Sequence, residues 1–107
     1  MKLSVGIITF NEERIIAKTI DAVKNIAGEI VIIDSNSTDK TVEIAKSKGA
    51  KVITQSWLGY GKQKNFMIDN CSGEWILSID ADEIISQELA NEISEEIKKE
   101  NNISEVY

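Results

Sequence analysis

The stretch Asp80-Ala81-Asp82-Glu83 holds three carboxylates within four residues, soon after the apolar run Trp75-Ile76-Leu77. Carboxylates this close repel one another, and they give up hydration at a cost unless a cation neutralises them. Oxygen ligands of this kind suit Mg²⁺ or Mn²⁺, which keeps several waters and also binds substrate phosphate. The stretch therefore predicts a site for a divalent cation and a diphosphate. The competing interpretation is that Asp82 and Glu83 begin the next helix, because acidic residues favour a helix N-terminus.

Composition excludes several classes of protein. The 107 residues allow one domain, and a formal net charge of −6 leaves no basic face for nucleic acid, so we expect no nucleic-acid partner. The absence of histidine removes Ser-His-Asp chemistry and imidazole zinc sites.

The sequence also bears on cellular location. Cys71 is the only cysteine, which fits a reducing cytosol, and the apolar run Ile30–Ile33 is far shorter than the ~20 residues that cross a bilayer. No signal peptide is evident. We expect a cytoplasmic protein, with peripheral attachment to the inner face of the cell membrane as the alternative.

Strand and helix patterns alternate along the chain. The elements that they predict must position the carboxylates. Strands are predicted over Leu3–Thr9, Glu29–Asp34, Lys51–Thr54 and Trp75–Ile79, and helices over residues 12–26, 39–48, 62–70 and 86–99. Asn11 is the predicted N-cap of the first helix. Leu89, Ile93 and Ile97 are the predicted core contacts of the last helix. This alternation predicts an α/β fold, a Rossmann-like three-layer αβα sandwich with a mainly parallel sheet.

Polar residues follow three of the predicted strands. They are Thr9, Asn11 and Glu12 after the first, Asp34, Asn36, Ser37 and Asp39 after the second, and Asp80 and Asp82 after the fourth. Ligands bind such sheets at the carboxyl ends of the strands. A solvated rim would also be polar, but carboxylates and amides on three separate loops favour a binding site.

Trp57 and Tyr60 lie on either side of Gly59 in the loop of residues 55–61, before the third helix. They could stack on a ligand or line a binding groove, or they could pack the loop against the helix that follows. The packing interpretation is the favoured one.

The last residues resemble the start of another strand, over Ile103–Tyr107, after a turn at Asn101-Asn102. We therefore expect residues 1–107 to be the front part of a longer protein. A sheet cut short exposes an edge and apolar surface, which favours self-association into a homo-oligomer.

Four segments, "IITFNEE", "IVIIDSNSTDKTVEIAKSKGAKV", "WLGYGKQKNF" and "GEWILSIDADE", resemble family 2 glycosyltransferases. These are inverting sugar transferases with the glycosyltransferase A fold, and the subgroup most similar is the lipopolysaccharide-core glucosyltransferase-like proteins. The resemblance runs from about Leu3 to about Ile97. It implies that residues 1–107 form a single nucleotide-sugar-binding domain, the N-terminal part of a longer catalytic domain. It also implies metal-dependent, inverting transfer from a nucleotide-diphosphate sugar, with UDP-sugar favoured, to the hydroxyl of a saccharide or lipid-linked acceptor. The implied pathway is synthesis of lipopolysaccharide or another cell-envelope glycan.

The resemblance also implies roles for particular residues. It places Thr9, Asn11, Glu12, Asp34, Asp39, Lys64 and Asp80 at the nucleotide, with Lys64 near the diphosphate and Asp80 near the ribose. Asp82, supported by Asp80, would ligate the Mg²⁺ or Mn²⁺ that bridges the diphosphate. Ser35 stands where most relatives have a second acidic residue, so recognition of the base, and with it a UDP donor, stays open.

The family's general base belongs to a later part of the domain, so no base is assigned here. We expect this chain to bind a nucleotide diphosphate weakly with metal and not to transfer sugar. A dehalogenase-like phosphatase is disfavoured because Thr9 and Asn11 occupy the place of its aspartate pair, and a nucleotidyltransferase because no glycine-rich basic loop follows the first strand. The remaining alternative is a non-catalytic acidic α/β module that binds metal or protein.

Overall fold

A computed structural model describes residues 3–99, in which strands and helices alternate. The strands are β1 (Leu3–Thr9), β2 (Glu29–Asp34), β3 (Lys51–Thr54) and β4 (Trp75–Asp80), and the helices are α1 (Ile16–Val23), α2 (Thr41–Ser47), α3 (Tyr60–Asp69) and α4 (Gln87–Lys99). The strands form one parallel sheet in the order β3-β2-β1-β4. The predicted α/β architecture with a parallel sheet is confirmed.

Alternation along the strands divides the core between the two faces of the sheet. Leu3, Val5 and Ile7 of β1 join the larger cluster, which includes side chains from α1, α2 and α4. On the opposite face, Val31 and Ile33 pack with Met67 of α3. Because β2 is buried on both faces, it reads as a continuous apolar run, as expected for a central parallel strand. Helices therefore cover both faces.

The first helix is shorter than predicted, and the assignment of Asn11 as its N-cap is wrong. The helix begins at Ile16, and Asn11 adopts a left-handed backbone with φ of 52°. The reason is that backbone N–H groups from residues 11–13 donate to side chains that follow β2. The acceptors are Ser37 Oγ and Asp39 Oδ2 in the β2–α2 loop and Thr41 Oγ1 at the start of α2. This segment therefore ties two loops together and does not continue the helix.

The predicted core face of α4 is wrong at one position. Leu89 is 40% exposed, and Ala90 takes the buried position together with Ile93 and Ile97. Residues 90, 93 and 97 follow the three- and four-residue spacing of one helix face, which leaves Leu89 beside it.

Two further points concern the limits of the chain. The predicted turn at Asn101-Asn102 and strand at Ile103–Tyr107 lie outside the described residues. Within residues 3–99, none of the helices has the length and apolar character needed to cross a bilayer.

Candidate functional site

The carboxyl ends of the strands meet at one edge of the sheet, where Thr9 pairs with Asp34 and Ile8 with Asp80. A cavity of about 290 Å³ opens at this edge. It is lined by Ile8, Thr9, Phe10, Glu12, Ser35, Trp57, Tyr60, Asp80, Ala81 and Asp82. The fold thus brings the predicted residues Thr9 and Glu12 to the same cavity as Asp80 and Asp82.

The acidic turn after β4 is held by its own backbone and by α1. Asp80 N–H donates to Glu83 Oε1 at 3.0 Å, and Glu83 N–H donates back to the Asp80 carbonyl at 3.0 Å. The Thr19 hydroxyl donates to the carbonyl of buried Ala81. Since α4 begins only at Gln87, the interpretation that Asp82 and Glu83 start a helix is wrong. The turn instead presents the exposed side chains of Asp80 and Asp82 at the cavity.

The donor set at this turn fits a cation that is shared with a substrate. Within residues 3–99, no group of three or more His, Cys, Asp or Glu side chains lies close enough to hold a metal ion. Mg²⁺ requires an octahedron of oxygens and commonly takes one or two carboxylates, with substrate phosphates and waters completing the shell. Asp80 and Asp82 match that pattern and do not match a closed structural metal site.

Glu12 adds to the negative charge of the cavity. Burial raises the pKa of the Glu12 carboxyl, and the charges of Asp82 and Asp39 raise it further, against a hydrogen bond from the Phe10 backbone that lowers it. A divalent cation beside Asp82 would relieve this repulsion.

Asp34 lies beneath the edge and does not line the cavity. It is 1% exposed, and its carboxylate accepts hydrogen bonds from Thr9 Oγ1 at 2.7 Å, Ser37 Oγ at 2.6 Å and Ser37 N–H at 2.8 Å. The carboxylate therefore joins the end of β1 to the β2–α2 loop. Its predicted contact with a nucleotide stays a prediction.

Three other predicted residues also lie outside the cavity lining. Asn11 Oδ1 accepts the Thr38 N–H at 2.8 Å. Desolvation acts to raise the pKa of Asp39, but hydrogen bonds, chiefly from Thr41, outweigh it and lower the pKa. Lys64 Nζ lies 6.0 Å from the centroid of the Tyr60 ring. Asn11 and Asp39 brace the loops here, and Lys64 lies near Tyr60, which lines the cavity.

Aromatic side chains, which the predicted set of site residues does not include, form one wall of the cavity. Phe10, Ser35 and Trp57 line a second cavity of about 380 Å³, and the same three residues also line the first. Phe10 is 55% exposed, and Trp57 and Tyr60 are each 57% exposed. More than half of each residue is exposed, and the favoured interpretation that Trp57 and Tyr60 pack the loop against α3 stays a prediction. A large apolar residue between polar Thr9 and Asn11 was the available signal for Phe10.

Comparison with known proteins places the chain in a family. A family model described as glycosyl transferase family 2 matches residues 4–106. The chain belongs to this family, as the resemblance in its motifs indicated.

Curated relatives extend well past the matched region. The chain is 55% identical to an uncharacterised glycosyltransferase of Rickettsia typhi over 92 residues, which are 86% of this chain and 32% of that protein. It is 38% identical over 94 residues to the lipopolysaccharide core biosynthesis glycosyltransferase LpsC of Rhizobium meliloti, covering 83% of this chain and 34% of LpsC. The chain thus spans about a third of the length of these relatives.

Solved structures share the fold. S. aureus TarS 1–349 superposes with a TM-score of 0.80 and 27% identity, over 94% of this chain and 33% of that one. Glucosyl-3-phosphoglycerate synthase from Mycobacterium tuberculosis, crystallised with Mn²⁺, UDP and glucosyl-3-phosphoglycerate, gives a TM-score of 0.67 and 27% identity, over 75% and 33% of the two chains. These matches confirm the predicted fold.

Proposed function

We propose that the chain is the nucleotide-sugar-binding part of a glycosyltransferase that transfers a sugar from a nucleotide-diphosphate donor to an acceptor hydroxyl. The observation that carries the proposal is the position of Asp80 and Asp82, exposed on a braced turn in the same cavity as Thr9 and Glu12. Family membership supplies the reaction class.

The donor is a UDP-sugar and the cofactor is Mg²⁺ or Mn²⁺. Support comes from the synthase of M. tuberculosis, which was crystallised with both UDP and Mn²⁺. Asp82 would ligate the cation with Asp80 in support, and a cation bound there supplies Lewis-acid stabilisation of the departing diphosphate. Thr9, Asn11, Glu12, Asp34, Asp39 and Lys64 are the remaining proposed nucleotide residues. Of these, Thr9 and Glu12 reach the cavity directly.

The acceptor is a saccharide or lipid-linked saccharide of the cell envelope, and transfer proceeds with inversion in the cytoplasm or at the inner face of the membrane. The relative LpsC, named for lipopolysaccharide core biosynthesis, supports this acceptor class. We assign no general base. Glu83, the nearest further carboxylate in sequence, accepts the Asp80 N–H within the turn.

Calorimetric titration of UDP with and without Mn²⁺ tests the site. Linkage energies of 1–3 kcal/mol are typical, so Mn²⁺ should tighten UDP binding by about 5–150-fold. The Asp82→Ala variant should bind UDP with equal affinity in the presence and absence of Mn²⁺. Asp69→Asn, which neutralises an exposed aspartate at the far end of α3, is the matched control and should keep the full effect.

Two outcomes would contradict the proposal. Mn²⁺ binding without UDP binding would favour an acidic metal-binding module, the alternative that the sequence left open. A metal effect that survives in Asp82→Ala would place the cation elsewhere.

A further inference from the structure

Gln63 is a fully buried polar residue in the first turn of α3, with 0% exposure. Its Nε2 donates to Ser35 Oγ at 2.9 Å and to the Gln55 carbonyl at 3.1 Å, while its Oε1 accepts the Leu58 N–H at 3.1 Å. A buried amide is costly unless it is hydrogen-bonded, and this one bonds on both its donor and its acceptor side. Gln63 therefore joins the end of β2 to the loop of residues 55–58.

In that loop, Trp57 lies between the Gln55 carbonyl and the Leu58 N–H, which both bond to Gln63. Gln55 N–H also donates to the Asp34 carbonyl at 2.9 Å, which fixes the start of the loop to β2. The Trp57 side chain nevertheless remains 57% exposed and lines both cavities with Phe10. An exposed aromatic ring on a hydrogen-bonded loop at the mouth of a cavity is suited to contact with a bound ligand.

The flat faces of Trp57 and Phe10 indicate which part of a ligand would bind beside them. Their cavity, of about 380 Å³, shares Ser35, Phe10 and Trp57 with the cavity of Asp80 and Asp82, so one molecule can span the two. A diphosphate at the carboxylates would place its attached base or sugar within this continuous space. Aromatic side chains stack on nucleotide bases of any sequence, because every base has a π-face.

We propose that Trp57 is a stacking contact for the base of the donor nucleotide and that Gln63 is the positioning residue that holds Trp57 there. This rests on the proposed function, since the ligand is taken to be a nucleotide diphosphate. Gln63 touches no ligand in this scheme. It acts through Ser35 and the backbone of the Trp57 loop.

Binding of UDP in the presence of Mn²⁺ to the 107-residue chain tests both parts. Loss of one base stack should weaken binding in Trp57→Ala by about 5–150-fold. Gln63→Met, which keeps the size and helix preference of the side chain but removes all three hydrogen bonds, should weaken binding in the same direction. The double variant should bind no more weakly than Trp57→Ala alone, because Gln63 acts only through Trp57. Effects that multiply in the double variant, or a Trp57→Ala variant with wild-type affinity, would overturn the proposal.

Tryptophan fluorescence gives a second readout that needs no nucleotide. In a Trp75→Phe background, Trp57 is the remaining tryptophan. Gln63→Met should increase acrylamide quenching of Trp57 and lower its anisotropy. Ser35→Ala removes one of the three hydrogen bonds of Gln63 and should change quenching and anisotropy in the same direction by a smaller amount. This variant replaces Gln63→Met as the test if Gln63→Met folds poorly. Met67→Leu, a buried change one turn further along the same face of α3, is the matched control and should leave Trp57 unchanged.

The two arms separate this inference from the proposed function. A wild-type chain that does not bind UDP with Mn²⁺ overturns the proposed function and the stacking role with it, while the fluorescence arm still decides whether Gln63 positions Trp57. Wild-type UDP binding with unchanged Trp57 mobility in Gln63→Met and Ser35→Ala would overturn the positioning role alone.

Discussion

Glu29 is a single residue that links several segments at the amino ends of the strands, the edge of the sheet opposite the acidic turn. Its carboxylate accepts hydrogen bonds from the Ser4 hydroxyl and from the N–H and hydroxyl of Ser72, the latter two at 2.6 and 2.9 Å. Ser4 Oγ in turn accepts the Gly73 N–H at 2.8 Å. Desolvation acts to raise the pKa of Glu29, but these hydrogen bonds and the charge of Lys51 outweigh it, so the pKa lies below its usual value of 4.5. One carboxylate thereby ties the starts of β1 and β2 to the segment before β4.

This lowered pKa predicts a pH dependence of stability. The charged form is favoured in the folded state, so its contribution is present above the unfolded pKa near 4.5 and is lost as pH falls through the folded pKa. Glu29→Gln should lower the free energy of unfolding at neutral pH by about 1–2 kcal/mol, near the lower end for hydrogen bonds to charged groups because Glu29 is partly exposed. The gap to wild type should narrow as the pH falls from 4.5 through the lower folded-state pKa. Urea unfolding across pH 3–7 measures it, with Glu74→Gln, an exposed glutamate at the same edge, as the control. A gap that stays constant with pH would contradict the charge-based account.

Residue-level contacts divide into those that sequence can predict and those that it cannot. Asp80 and Asp82 were predictable because chain neighbours on one turn share one environment. The roles of Gln63 and Glu29 were not, because Ser35 lies 28 residues from Gln63 and Ser72 lies 43 residues from Glu29, and no local pattern marks either side chain as hydrogen-bonded. The positive φ of Asn11 was equally hidden, since it depends on contacts with the β2–α2 loop.

At the scale of elements, α3 approaches the sheet closely at β1. A Cβ at Gly6 would collide with the Met67 sulfur, and Met67 is fully buried. The absence of a side chain at Gly6 therefore sets how near α3 lies to the strand. Since Gln63 and Tyr60 belong to the first turn of the same helix, this approach helps to place them at the carboxyl edge.

A double-mutant cycle tests the approach of α3 to β1. Gly6→Ala should destabilise by about 1–3 kcal/mol through overpacking, and Met67→Ala by about 2–5 kcal/mol through the space that it leaves. The double variant should be more stable than the sum of the two losses by about 0.5–3 kcal/mol, because the new methyl group enters the vacated space. Thermal or urea unfolding measures all three. Gly61→Ala is the control, since a Cβ there meets open space, and it should stabilise the exposed helix by up to about 1 kcal/mol. Strictly additive losses would show that Gly6 and Met67 do not compete for space.

The bounds of an element were predictable from the sequence where its apolar pattern was uninterrupted. β2 reads as an uninterrupted buried run and was predicted with its correct bounds. The start of α1 was not predictable, because Asn11 and the two glutamates after it form a favourable helix start on local grounds, and only the side chains that follow β2 draw their N–H groups away.

For the molecule as a whole, the strand order β3-β2-β1-β4 gathers the site from distant parts of the chain. Thr9 ends β1 and Glu12 follows it, Ser35 follows β2, and Trp57 and Tyr60 follow β3. Asp80 ends β4 and Asp82 follows it. These groups share one cavity only in the folded state, since the unfolded chain does not hold them together. Ligand binding at this edge must therefore be coupled to folding of the entire sheet.

The coupling predicts that UDP and Mn²⁺ together raise the melting temperature of the chain. A ligand at about 100 times its Kd that binds only the folded state adds about 2.7 kcal/mol. For a domain of this size, that corresponds to a rise in Tm of roughly 10–20 °C. Because the carboxylates and the diphosphate would share the cation, the joint shift should exceed the sum of the shifts with UDP alone and Mn²⁺ alone. Differential scanning fluorimetry measures all three, and Asp82→Ala should retain only the shift with UDP alone. A Tm that stays fixed while calorimetry shows saturation would mean that the ligand binds the unfolded chain equally well, and the edge of the sheet would then not be its site.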